Sequence, residues 1–228
     1  MTIHRFFMTA AFALFTGLVA TSPGMTDTGP AEFVRTLGNE ALGVIRADMA
    51  PAQKQTFFHQ LLQQDFDVPG IAQFVLGPYW RVASEPEKQE FRGLLEDYIV
   101  RVYSERFAQY RGETLRVTGS RSDPDGATVT SEIVRPQGAP PIKVDWRLST
   151  RDGLYKISDV VIEGVSMGAS ERSEFASVIQ RSGGQVQGLL AMMQRADSGR
   201  PLESSVAPPV VGDSTSVRQV AQLRTNGL

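Results

Sequence analysis

The 228-residue chain contains no cysteine and only two histidines, and these absences exclude several kinds of site. Disulfides and thiolate metal sites require cysteine, so neither is possible. His4 lies in the N-terminal segment that is expected to be removed as a signal peptide, which leaves His59 as the candidate for catalysis or metal binding. One histidine is too few for the usual zinc sites, and no EF-hand spacing, GxSxG nucleophile motif or nucleotide-binding loop accompanies it. A helix-surface or core position is the simpler interpretation of His59.

An excess of positive charge is also absent. The chain has 23 Lys and Arg residues against 25 Asp and Glu residues, and its formal net charge is −2. Proteins that bind nucleic acid usually present a basic surface, because the phosphate backbone dominates their affinity. The composition therefore predicts no nucleic-acid partner.

Long hydrophobic runs are missing except at the N-terminus. Arg5 precedes an apolar stretch from Phe6 to Ala20, which has the length and composition of a secretion signal. A membrane-spanning helix needs about 20 apolar residues, so we expect a cleaved signal peptide over residues 1–20 and no stable membrane insertion. An uncleaved anchor is the alternative. A cysteine-free exported chain is typical of the bacterial periplasm.

Apolar residues at helical spacing predict helices in the N-terminal half of the chain. The first two are predicted over Pro30–Ala50 and Pro51–Gln64, and a third begins after a helix-capping Asp67. A capping box at Ser84–Glu87 starts a long helix that is expected to reach about Tyr110. This helix carries a broad aromatic-rich stripe, which requires a long apolar surface beside it.

The apolar spacing changes to period two beyond Gly112, and short turns separate the apolar segments. Such segments predict an antiparallel sheet of four strands, followed by two further helices. The strands are expected over Leu115–Val117, Ala127–Val134, Ile142–Leu148 and Tyr155–Val165, and the helices over Ala169–Arg181 and Gln185–Arg195. The predicted fold class is α+β. Residues 196–228 are rich in proline and serine without periodicity, so we expect a flexible tail, or else a segment that orders on a partner.

Two segments carry a resemblance to a known family. The first is Phe74–Trp80 (FVLGPYW), and the second combines Val144–Trp146 (VDW) with Tyr155–Ser166 (YKISDVVIEGVS), followed by Arg172–Phe175 (RSEF). Together they resemble the MlaC family of periplasmic lipid-binding proteins, which were once described as toluene-tolerance auxiliary components. The likeness extends over residues 31–195, which is the whole predicted folded domain.

The resemblance implies helices packed over a curved four-stranded antiparallel sheet that encloses a lipid cavity. It also implies a monomeric, non-enzymatic carrier without a cofactor, whose cargo is phospholipid. Such a carrier moves lipid between the outer membrane and an inner-membrane ABC transporter and maintains outer-membrane lipid asymmetry. Its expected partners are that transporter complex and an outer-membrane lipoprotein complex. A branch of the family is associated with hopanoids, so the lipid species remains open.

Large apolar residues on the long helix, the sheet and the final helices are the candidates for the cavity lining. For each of them, ordinary core packing is the alternative. The predicted lining residues are Val75, Leu76, Tyr79, Trp80, Leu95, Tyr98, Ile99, Val102, Tyr103, Ile133, Trp146, Val161, Val165, Met167, Phe175 and Ile179.

Four arginines are candidates for contact with a phosphate, because a guanidinium group offers forked donors. They are Arg81, Arg101, Arg147 and Arg172, and solvated surface positions are the alternative for each.

Two other classes of function remain as alternatives. In a cone-shaped α+β isomerase or hydratase, Asp145 or Asp159 would abstract a proton and Tyr98 or Tyr103 would stabilise the oxyanion. Asp145 alternates with apolar residues and should point outward, whereas Asp159 interrupts an apolar strand at a possible bulge. A structural adaptor of a membrane complex is the third class.

Overall fold

The computed structural model describes residues 29–107, 110 and 112–197. The predicted signal peptide and residues 198–228 of the predicted tail lie outside this part of the chain. In chain order the elements are α1 (Pro30–Arg46), α2 (Pro51–Asp65), α3 (Val68–Leu76), a 3₁₀ turn (Gly77–Arg81), α4 (Glu85–Phe107), β1 (Thr114–Asp123), β2 (Gly126–Val134), β3 (Ile142–Arg151), β4 (Leu154–Ile162), β5 (Val165–Ser166), α5 (Met167–Arg181) and α6 (Val186–Asp197). Within these ranges no helix is at once long enough and apolar enough to cross a bilayer.

Local capping chemistry sets the helix starts that the sequence predicts. The Asp67 carboxylate accepts a hydrogen bond from the Gly70 amide at 3.1 Å and begins α3. At α4 the Ser84 amide donates to the Glu87 carboxylate at 2.8 Å, and the Glu87 amide donates back to the Ser84 hydroxyl at 3.4 Å. These contacts satisfy amides that have no partner within the helix. Both predicted starts are confirmed.

The strands form one antiparallel sheet in the order β1-β2-β3-β4-β5, so each strand pairs with its neighbour in sequence. The first three predicted strands are present with longer bounds, whereas the fourth, predicted over Tyr155–Val165, is divided into β4 and the two-residue strand β5. Glu163 and Gly164 separate β4 from β5, and both have positive φ, at 49° and 81°. The predicted α+β fold class is confirmed.

A β-bulge in β4 changes which side chains face the helices. Arg147 pairs with Asp159 and Leu148 pairs with Ile157, so Ser158 has no separate partner on β3. The extra residue breaks the period-two alternation along the strand. As a result Ile157 and Val160 pack in the same apolar cluster, although their spacing in sequence would place them on opposite faces.

The helices cover the sheet in two groups. The helix core consists of buried side chains of α3, α4, α5 and α6, and its largest members include Phe91, Leu189 and Met193. Separately, α1 packs on β1 and β2 through Val34 and Leu37, while α2 packs mainly against α4. This arrangement leaves α1, α2 and the second half of α4 facing the sheet.

Candidate functional site

A cavity of about 390 Å³ lies between these helices and the sheet. This is within the range of about 300–1,000 Å³ that is typical of ligand pockets. Most of its lining is apolar. It is lined by Leu37, Gly38, Ala41, Leu42 and Ile45 from α1, Phe58, Leu61, Leu62 and Phe66 from α2 and its end, Ile71, Phe74 and Val75 from α3, Leu95, Tyr98, Ile99, Val100, Val102 and Tyr103 from α4, Tyr110, Glu113, Thr114, Leu115, Ile133, Val144, Trp146, Ile157, Ser158, Asp159, Val160 and Ile162 from the sheet and its approach, and Met167, Gly168 and Glu171 from α5.

Contacts at the edges of the cavity attach the helices to the sheet. Asp67 links the α2–α3 junction to two strands: its carboxylate accepts from the Arg151 guanidinium at 2.9 Å, and its amide donates to the Ile157 carbonyl at 2.9 Å. On the opposite side α1 lies so close to β1 that a Cβ on Gly38 would be 2.3 Å from a methyl carbon of Leu115. Because attachment occurs at the edges, the helices span the sheet without filling the space above it.

Several predicted lining residues do line this cavity. Their side chains come from α3, α4, the sheet and the start of α5, which the sequence could not show to be neighbours. They are Val75, Leu95, Tyr98, Ile99, Val102, Tyr103, Ile133, Trp146 and Met167.

The remaining predicted residues lie outside the lining. Leu76, Tyr79, Trp80, Phe175 and Ile179 pack in or against the helix core, because α6 covers that side of α4 and α5. Val161 is buried next to Val160 and Ile162, which both line the cavity, so it points to the other face of β4. Val165 lies beyond the Glu163–Gly164 turn, in a cluster at the end of the sheet. The bulge in β4 explains why Val161 does not line the cavity, and the Glu163–Gly164 turn explains why Val165 does not.

The sequence reading missed the contribution of α1 and α2. Their apolar stripes are visible in the sequence, since Leu37, Ala41 and Ile45 recur at helical spacing and Leu61 and Leu62 form the apolar side of α2. Such stripes show that a helix face is covered, but they do not show whether protein or a ligand covers it. That information comes only from the distance between the helices and the sheet.

One polar pair lies inside the apolar lining. The Tyr98 hydroxyl is 3.3 Å from both carboxylate oxygens of Glu171, to which it donates. Burial, reinforced by the charge of Glu171, raises the pKa of Tyr98 well above its usual value. The hydroxyl therefore stays protonated at neutral pH and remains a donor.

A second carboxyl group lies one turn further along α5. Glu174 is half-buried, and its burial raises the pKa of this carboxyl from 4.5 to about 7. Its charge also acts on Tyr98. Of the two carboxyl groups, Glu171 lines the cavity and Glu174 does not.

Asp159, the candidate base of the isomerase alternative, caps α5 instead. Its carboxylate accepts hydrogen bonds from the Gly168 amide at 3.0 Å, the Ser166 hydroxyl at 2.6 Å and the Arg147 guanidinium at 2.9 Å. Three donors occupy most of the lone-pair positions that proton abstraction would need. The other candidate, Asp145, is not among the cavity-lining residues.

The four candidate arginines are in different surroundings. Arg147 pairs with Asp159, and Arg101 lies over the Tyr98 ring at 6.0 Å. Arg81 and Arg172 line the same cleft beside the cavity.

His59 pairs with Asp97 at 3.2 Å on the surface between α2 and α4. Among the described residues no cluster of three or more His, Asp or Glu side chains is placed to hold a metal ion.

Comparison with known proteins identifies the family. The family model described as "MlaC protein" matches residues 35–195, well over half of the chain. The binding protein MlaC of an intermembrane phospholipid transport system, from Haemophilus influenzae, is 19% identical over 205 residues, which cover 86% of this chain and 94% of that protein. Toluene tolerance protein ttg2D from Pseudomonas putida is 25% identical over 182 residues, which cover 76% of this chain and 80% of that protein.

A solved structure shows the same fold. It is a phospholipid-binding protein from Ralstonia solanacearum in complex with a phospholipid, with a TM-score of 0.65 and 21% identity. The likeness covers 75% of this chain and 98% of that chain. The names of all these relatives describe binding, transport or tolerance and not catalysis. The resemblance inferred from the sequence is confirmed, and the chain belongs to the MlaC family.

Proposed function

We propose that this chain is a phospholipid-binding transport protein that carries its lipid through the periplasm, between the outer membrane and an inner-membrane ABC transporter. The observation that carries the proposal is the apolar cavity of about 390 Å³ between the helices and the sheet. The names of its relatives support phospholipid as the cargo.

The cavity addresses the main energetic obstacle to lipid transfer. Each methylene group exposed to water costs about 0.8 kcal/mol, so two chains of about fifteen methylenes each would cost roughly 24 kcal/mol in gross terms. An apolar lining that replaces the bilayer environment removes most of this cost. Release must remain possible, so the lining should match the membrane and not exceed it. Direction would then come from an energised partner, for which the transporter is the candidate.

Purification of the exported protein tests the proposal. We expect native mass spectrometry of protein from the periplasmic fraction to show a bound lipid, and extraction to identify a phospholipid. A hopanoid in its place would assign the chain to the hopanoid-associated branch. Protein that carries no lipid and takes none up from vesicles would contradict the proposal and favour a structural adaptor.

The transport step needs a separate measurement. Lipid-loaded protein should transfer labelled phospholipid to proteoliposomes that contain the inner-membrane transporter. Transfer to protein-free liposomes provides the control. Equal transfer to both would remove the transporter from the proposed route, while leaving lipid binding intact.

A further inference from the structure

We propose that a second cleft, beside the cavity, binds the phosphate group of the lipid whose chains the cavity holds. This inference rests on the proposed function and extends it to the head group. The cleft has a volume of about 460 Å³, and its walls come from α3, the 3₁₀ turn and α5. Its side chains include Arg81 and Arg172, and none of the residues that line it is acidic.

One aromatic ring separates the cleft from the cavity. Phe74 lines both spaces, and 45% of its surface is exposed although it is a large apolar residue. The ring lies against the start of α5, where a Cβ on Gly168 would be 3.2 Å from the nearest ring carbon. In a phospholipid the phosphate is joined to the acyl chains through glycerol alone. An apolar cavity and a cationic cleft on the two sides of one ring match this chemical order.

Arg172 is held at this boundary. Its guanidinium carbon lies 5.4 Å from the centroid of the Phe74 ring, which is a cation–π distance. On the other side, a Cβ on Gly77 would be 2.7 Å from the Arg172 Nε atom. Gly77 has a φ of 58°, in the left-handed region that favours glycine. The absence of a side chain at this position also lets the guanidinium approach the backbone closely. The side chain is therefore placed between a ring and a backbone turn.

The charges of the cleft are not balanced by carboxylates of the residues that the structure describes. Neither Arg81 nor Arg172 has a carboxylate partner within hydrogen-bond distance in the described part of the chain, in contrast to Arg147 and Arg151, which pair with Asp159 and Asp67. Because Arg81 and Arg172 line one cleft, a single anion there would meet two guanidinium groups. Guanidinium groups offer forked donors that match phosphate oxygens, and the nearby Gln73 amide supplies further donors.

Competition between two lipids tests the cleft. The protein is loaded from vesicles that contain equal amounts of phosphatidylglycerol and of diacylglycerol with the same acyl chains, and the bound lipids are counted by mass spectrometry. We expect the wild type to be enriched in phosphatidylglycerol. In the double variant Arg81→Gln/Arg172→Gln, the ratio of bound phosphatidylglycerol to bound diacylglycerol should be about tenfold lower. A change of this size is typical of removing hydrogen bonds to a charged group. Total lipid per protein should stay the same.

Arg181→Gln is the matched control, because Arg181 is exposed on the same helix and bonds to Ser177 away from the cleft. It should keep the wild-type lipid ratio. If the double variant kept that ratio with normal total lipid, the cleft proposal would be wrong while the lipid-binding function stood. If the wild type took up neither lipid, the proposed function itself would fail.

A titration distinguishes the lipid head group from free phosphate. The Nε–Hε NMR signals of Arg81 and Arg172 are followed in lipid-free protein as inorganic phosphate is added, and then after loading with phosphatidylglycerol. We expect the larger shifts on lipid loading. Saturable shifts with inorganic phosphate, together with an unchanged lipid ratio in the double variant, would assign the cleft to free anions and overturn the proposal.

Discussion

The helix core and the cavity use the same kinds of side chain with opposite results. In the helix core Phe91 and Leu95 are almost completely buried, although Leu95 also borders the cavity, and the rings of Phe91 and Phe175 meet edge to face at 5.8 Å. One turn later on α4, Tyr98 and Ile99 line an empty space. A single helix thus contributes to a filled core in its first half and to a hollow in its second half.

The difference lies in what faces each half of α4. Its first half is covered by α6, which contributes Leu189, Leu190 and Met193 at essentially full burial. Its second half packs on α2 through Val100 and otherwise borders the cavity, whose lining also includes the sheet. Tyr98 lies at the boundary: its ring packs on Phe175 at 6.0 Å, while its hydroxyl reaches Glu171 at the cavity. An apolar helix face therefore shows that the face is shielded from water. The neighbouring element decides whether protein or a cavity lies against it.

Truncation in the helix core should give the largest loss of stability. Phe91→Ala is expected to lower the free energy of unfolding by about 3–5 kcal/mol, because it opens a void in a filled core. Urea denaturation of lipid-free protein measures this loss. Leu61→Ala is the matched test in the cavity and should cost no more than about 1 kcal/mol, since its side chain already faces empty space. Equal losses would show that the cavity is packed like the core.

Filling the cavity should separate stability from binding. Ile99→Trp adds volume to a lining residue, so we expect lipid occupancy to fall sharply while the free energy of unfolding changes by less than about 1 kcal/mol. Native mass spectrometry and urea denaturation report the two quantities. Val161→Trp is the opposite control: Val161 is buried outside the lining, so overpacking should cost about 1–3 kcal/mol and occupancy per folded protein should be unchanged. Reversed results would place Val161 in the cavity wall.

The smallest effect is expected at Glu174, near the boundary between the two regions. Burial raises the pKa of Glu174 in the folded state to about 7, whereas its ordinary pKa, expected in the unfolded chain, is 4.5. The folded protein therefore binds this proton more tightly than the unfolded chain does. The wild type should therefore lose stability as the pH rises through this interval. Glu174→Gln removes the titration, and the variant should match the wild type below the lower of the two pKa values, near pH 4.

Near pH 8 the variant should be more stable by less than about 1 kcal/mol, because the side chain is half-exposed and solvent screens its charge. Urea denaturation at both pH values measures the difference. Tyr98 and Glu171 are the titratable neighbours of Glu174. Tyr98 remains protonated between these two pH values, because its pKa is raised. An identical pH dependence in the two proteins would show that Glu174 titrates at its ordinary pKa.

Elements governed by local chemistry could be predicted from the sequence. Asp67 and the Ser84–Glu87 pair mark helix starts because their side chains satisfy amides within a few residues. The hairpin turns at Asp123–Gly126 and Arg151–Gly153 join strands that pair with their neighbours in sequence. Nine of the sixteen predicted lining residues lie along the cavity, chiefly on α4, where the aromatic stripe is long.

Faces that depend on distant contacts could not be predicted. A period-two reading of Tyr155–Val165 places Val161 with Ile157, whereas the bulge at Ser158 reverses the faces beyond it. Phe175 and Ile179 carry the same apolar signature as true lining residues, but α6 covers them. Leu37 and Leu61 belong to apolar helix stripes, and nothing in the sequence indicates that these stripes face a cavity.

Two motifs in the sequence were enough to indicate the family. Capping boxes, turns and apolar periods predicted the fold class and the order of helices and strands, because they act over a few residues. Only the tertiary structure decided which apolar faces meet protein and which enclose a space. It also decided that Arg81 and Arg172 share one cleft. The physical reason is that hydrophobic burial depends on the amount of surface removed from water and not on what removes it. A filled core and a lipid cavity therefore leave the same pattern in the chain.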